Sequence, residues 1–106
     1  MPDAAEVFAR LCEAYADVPG VTLPVGGRRF GSDALRVGGS IFAMVTGGRL
    51  VVKLPRDRVA ALLAAGEGLP FDSGRGTPMK EWVLLLTEED RTHDLVEEAR
   101  VFVAGP

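Results

Sequence analysis

Residues 34–54 read A-L-R-V-G-G-S-I-F-A-M-V-T-G-G-R-L-V-V-K-L, and this stretch decides the fold. Three runs rich in Val, Ile, Leu and Phe are separated by two glycine pairs, Gly38-Gly39 and Gly47-Gly48. A two-residue hairpin turn needs positive φ at its central positions, which glycine adopts without steric cost. The spacing therefore predicts a three-stranded antiparallel meander. With both turns tight, Val37 faces Ser40, Leu35 faces Phe42, Val45 faces Leu50 and Ala43 faces Val52. Because side chains alternate along a strand, this register separates two faces. Ile41, Ala43, Val45, Leu50, Val52 and Leu54 form the expected core face, and Leu35, Val37, Phe42, Met44, Val51 and Lys53 form a second, less uniformly apolar one.

The segments on either side read as helices and one further strand. Asp3 and Glu6 have capping-box spacing, and Ala4, Val7, Phe8, Leu11, Ala14, Tyr15 and Val18 recur at steps of three and four until Pro19-Gly20. Residues 21–31 are rich in glycine and proline and read as a surface loop anchored by Phe30. Pro55 suits the first turn of a second helix, with Val59, Leu62 and Leu63 on one side and Gly66 at its end. Residues 66–78 are turn chemistry interrupted by Leu69 and Phe71, which are expected to plug the core from a loop or short edge strand. Residues 82–86, W-V-L-L-L, are apolar on both faces and read as an interior strand. Thr87 with Asp90 offers an N-cap for the last helix, Thr92 an alternative start, and Leu95, Val96, Ala99, Phe102 and Val103 its buried stripe. The fold class is α+β: an antiparallel sheet of about four to five strands packed on one face by the N- and C-terminal helices.

At 106 residues, 47% hydrophobic and 25% charged, the chain has room for one compact domain, residues 1–106, with an ordinary core. No apolar run approaches a membrane span, and the acidic N-terminus is unlike a secretory signal, so no membrane partner and a cytoplasmic location are expected. One cysteine excludes an internal disulfide. The net charge of −3 conceals a division: residues 28–80 hold nine basic against four acidic side chains, and the two ends hold three against eleven. The middle therefore carries +5 and the ends −8.

Four strings then look familiar: F-G-S-D-A-L-R-V-G-G-S-I-F-A-M at 30–44, G-R-L-V-V-K-L-P at 48–55, A-A-G at 64–66 and P-F-D-S-G-R-G-T-P-M-K-E-W-V at 70–83. In order and spacing they resemble the MmcQ/YjbR-like family and the related TfoX/Sxy N-terminal domain, over about three quarters of the chain. Lys53, Pro55, Gly66, Phe71, Met79, Lys80 and Trp82 stand at the recurrent positions. The resemblance implies a small α+β fold of the YjbR-like, frataxin (CyaY)-like kind that is often labelled DNA-binding, with no implied reaction.

Residue chemistry leaves two main classes of function open, beside a third, acidic metal binding, that rests on the frataxin-like resemblance and the acidic terminal helices. In the first, a non-enzymatic domain contacts DNA phosphates through Arg28, Arg29, Arg36, Lys53, Arg56, Arg58, Arg75 and Lys80. In the second, the semi-apolar sheet face around Phe42 and Met44 binds a protein partner or a second copy of the chain. Lys53, on an otherwise apolar strand, either meets an anion or is an edge lysine that deters sheet pairing. Lys80 and Trp82 share strand parity, but Trp82 is read as core. Gly74-Arg75-Gly76-Thr77 is a turn with weak phosphate-cradle character and is no Walker motif. His93 and Glu97 have i,i+4 spacing but read as a solvated acidic face, so no metal and no cofactor are expected. Cys12 reads as packing, and the serines lack a nucleophile-elbow context, so no catalytic residue is assigned and no enzymatic activity is expected.

Overall fold

The computed structural model describes residues 3–23, 33–72 and 79–105. Within them lie α1 (Ala4–Tyr15), β1 (Val21–Thr22), β2 (Asp33–Val37), β3 (Ser40–Thr46), β4 (Arg49–Lys53), α2 (Arg56–Ala64), β5 (Gly68–Pro70), β6 (Trp82–Leu85) and α3 (Glu89–Ala104). The six strands form one antiparallel sheet in the order β1-β2-β3-β4-β6-β5. The count exceeds the four to five expected because two very short strands pair at the edges, including Val21–Thr22, which the sequence presents as loop.

Both glycine turns form as expected, with φ of 59° and 87° at Gly38 and Gly39 and 59° and 75° at Gly47 and Gly48. The second hairpin keeps the expected register, with Val45 opposite Leu50 and Ala43 opposite Val52. The first does not. Val37 faces Ser40 and Arg36 faces Ile41, but Leu35 faces Ala43, which leaves Phe42 as an extra residue on β3. Such a β-bulge puts an unpaired residue into one strand and resets the alternation on its far side. Leu35, Val37 and Phe42 therefore belong to the core rather than to the second face, and Ile41 moves the other way. Phe42 is fully buried, its ring packed edge-on against Tyr15 of α1 at 5.7 Å between centroids.

The core gathers on one side of the sheet. Val7, Phe8, Leu11 and Tyr15 of α1, Val59 and Leu62 of α2, and Leu95, Val96 and Ala99 of α3 meet Leu35, Ala43, Leu50, Val52, Val83 and Leu85 of the strands. Asp3 caps α1, its Oδ1 accepting from Glu6 N at 2.9 Å, as half of the expected box. Helix α3 begins at Glu89 with Glu88 at its cap, not at Thr87 or Thr92, whose hydroxyls hydrogen-bond each other at 2.6 Å. Leu69 is 47% exposed and plugs nothing; the buried residue of β5 is its neighbour Gly68, where a Cβ would fall 2.5 Å from Val83 Cγ2. No helix in the described residues is long and apolar enough to cross a membrane.

Candidate functional site

All three helices contribute to that one core, so among the described residues no helix lies on the opposite face of the sheet. The pairing fixes what that face displays. Ala34, Met44, Val51, Leu84 and Leu69 are successive cross-strand neighbours, an apolar row across five strands. Val51, at its centre, is fully buried yet stands apart from the main core cluster, between Met44 and Leu84 on its own face. On one side of the row the face carries Arg36, Ile41, Lys53 and Trp82; on the other it carries Thr46 and Arg49. No carboxylate occupies a described strand position of this parity.

Lys53 lies on β4, which has β3 on one side and β6 on the other, so it is not an edge lysine. Its Nζ stands 5.8 Å from the centre of the Trp82 ring, the residue directly across on β6. A cation at that distance over an indole face is attracted by the ring's negative face. Trp82 is half-buried on this face rather than part of the core, because β6 turns Val83 and Leu85 inward and leaves Trp82 and Leu84 outward.

The other cations behave differently. Arg10 reaches Glu89 at 2.6 Å, Arg58 grips Glu98 with two bonds of 2.9 and 3.1 Å, Arg91 grips Glu67 at 3.0 and 3.2 Å, and Arg100 grips Glu97 at 3.0 and 2.6 Å. Through their hydrogen bonds Arg91, Arg10 and Arg100 hold the Glu67, Glu89 and Glu97 carboxyls below the usual carboxylate range. Tyr15 also donates to Glu97 at 2.8 Å, and burial first, then this bond, pushes its phenol well above the usual range. Arg36, Arg49, Lys53, Arg56 and Lys80, by contrast, have no carboxylate ion pair among the described residues.

Of the eight basic candidates, the structure thus places Arg36 and Lys53 together on the open face. Arg58 turns to the helical side, where Glu98 neutralises it. Arg56 and Lys80 line a cleft with Pro55, Asp57 and Glu81, two cations among two acids, and Lys80 precedes β6 in a turn, so it does not share a face with Trp82. Arg28, Arg29 and Arg75, with the Gly74–Thr77 turn, lie outside the described residues. Met44 is on the open face, while Phe42 is withdrawn from it by the bulge. Arg49 and Leu84 belong to the face without having been singled out in the sequence, and Leu69, expected to plug the core, belongs to it too; Arg49 shares the parity of Lys53, which was the available signal. His93 Nε2 stands 3.4 Å from Glu89, not beside Glu97, and no group of three His, Cys, Asp or Glu able to hold a metal occurs among the described residues. No family model, curated protein or solved structure matches the chain.

Proposed function

We propose that the chain is a small non-enzymatic DNA-binding domain that contacts phosphates through the face of its sheet opposite the three described helices. One observation carries the reading: Arg36, Arg49 and Lys53 share a face whose described strand positions hold no carboxylate, while Arg10, Arg58, Arg91 and Arg100 of the helical layer are paired with glutamates. Cations without a carboxylate partner among the described residues keep their charge for an external polyanion, and an acidic opposite side orients the molecule toward it. The resemblance of the residues from Phe30 onward to the MmcQ/YjbR-like family, and with it a YjbR-like, frataxin-like topology, supports the same reading. Arg56 and Lys80, at the margin, contribute less because Asp57 and Glu81 share their cleft.

A second reading has its own observation. The row through Met44, Leu84 and the 47% exposed Leu69 is apolar enough to anchor a protein partner or a second copy of the chain. The test that decides is a fluorescence-anisotropy titration of a labelled duplex carrying a single-stranded overhang, at several salt concentrations. DNA binding through three cations gives a dissociation constant of roughly 10⁻⁴ to 10⁻⁶ M near physiological salt that weakens steeply as salt rises. Absence of binding at low salt overturns the DNA reading, and self-association in sedimentation would then support the second.

A further inference from the structure

The breadth of this face restricts the form of nucleic acid it can take. The apolar row crosses four interstrand gaps of about 4.8 Å, so it is roughly 19 Å long. A duplex major groove is about 12 Å wide and admits one helix or a two-stranded ribbon. Arg36 lies on β2 and the other two cations on β4, with β1 beyond β2 and β6 and β5 beyond β4, so the cations are interior to a sheet too wide for the groove. Against a duplex they can touch only outer phosphates. Met44, Leu84 and Leu69 would then face phosphate and water, where apolar side chains gain nothing.

A single strand meets the same surface differently. Its unstacked bases have two apolar faces and no duplex partner, so they can lie along the row and over the half-buried Trp82. Arg36 and Lys53 on one side of the row and Arg49 on the other stand where a backbone carrying such bases would run. Lys53, within 5.8 Å of the Trp82 ring, brings a cation to the place where a base would stack. An acidic peptide would satisfy the cations but has no special use for the indole.

We infer that the sheet face opposite the three described helices binds single-stranded nucleic acid, with Trp82 and the accessible row residues Met44, Leu84 and Leu69 receiving bases and Arg36, Arg49 and Lys53 receiving phosphates. This rests on the DNA-binding reading of the same face. Trp82 is the chain's single tryptophan, so its fluorescence reports on this site alone. The experiment titrates the protein with a short mixed-sequence single strand, the matching blunt duplex and polyglutamate, following anisotropy and tryptophan emission together.

The single strand should bind at least tenfold more tightly than the duplex and quench Trp82. Leu69→Asp, at an exposed position, should leave the melting temperature unchanged and weaken single-strand binding. Val101→Asp, 54% exposed on α3, should alter neither. Trp82→Ala should weaken it about five- to a hundredfold, as removal of a stacking platform does, and Trp82→Phe should restore most of the loss if the fold is intact. Equal affinity for strand and duplex without quenching overturns this inference and leaves the DNA reading standing. Polyglutamate binding as tight as the single strand overturns it in favour of an acidic protein partner, and failure of both nucleic acids to bind overturns both readings.

Discussion

The two sides of the sheet treat their charges in opposite ways. On the helical side, Arg10, Arg58, Arg91 and Arg100 each close on a glutamate, so four of that layer's cations are internally neutralised. On the open side, Arg36, Arg49 and Lys53 stand on strands with no carboxylate of the same parity. Exposed ion pairs add little to stability, so the pairing matters chiefly for what it removes from the outer field. The lesson is that nine basic residues between positions 28 and 80 do not amount to a basic surface. Their strand parity and their partners decide which of them an external anion meets.

The contrast extends to packing, where the largest effects are expected. Phe42 and Met44 are two residues apart on β3, yet the bulge sends Phe42 inward and leaves Met44 outward. Phe42→Ala should cost about 3 to 5 kcal/mol in urea denaturation, as loss of a fully buried aromatic does, and Met44→Ala should cost less than half as much. Equal losses would show that both faces are core.

Gly68→Ala comes next. The new Cβ would lie 2.5 Å from Val83 Cγ2 and 3.0 Å from the Leu84 carbonyl oxygen, so β5 must shift away from β6. Overpacking of this kind costs about 1 to 3 kcal/mol. Hydrogen exchange should show faster opening of the β5–β6 pair and little change in α1; an unaltered edge would contradict the close approach.

The ion pairs of the helical layer make a smaller, pH-dependent difference. Glu67, Glu89 and Glu97 are held below their ordinary value of 4.5, so as pH falls through that region the unfolded chain takes up protons before the folded one. The stability these groups contribute is present above about pH 4.5 and is lost as pH drops through their folded values. The urea midpoint should decline on acidification from pH 5 to 3, less steeply in an Arg91→Ala, Arg100→Ala double variant. Identical profiles would show that the pairs are not made in solution.

Much of the fold is legible in the chain because glycine pairs and 3.6-residue stripes are local signals: both hairpin turns, all three helices and the second hairpin's register follow from them. The first hairpin's register is not legible, since Leu35 and Phe42 alternate as well without the bulge as with it. What decides is tertiary: burying Phe42 against Tyr15 of α1 is worth more than an unbroken ladder. Trp82 is misplaced for a related reason, because in an all-apolar run the outward parity has no polar residue to mark it. Arg58 reads as a free cation only until Glu98, forty positions away, is brought beside it.

The smallest expected change in stability belongs to the open-face cations. Arg36→Ala and Lys53→Ala should each shift the unfolding free energy by less than about 1 kcal/mol, since one loses a long hydrogen bond to the Gly39 carbonyl and the other a half-exposed contact with the Trp82 ring. That makes their double variant the cleanest probe of the segregated charge. In anisotropy titrations of DNA across salt concentrations, its log–log salt slope should be shallower than that of the unaltered protein by about 1.4 to 1.8, for two phosphates no longer neutralised. An Arg10→Ala, Arg100→Ala variant, which removes two cations already held by glutamates, should keep the original slope. Equal losses of slope in the two double variants would contradict the account, because the sheet face would then be no more a phosphate-binding surface than the helical layer behind it.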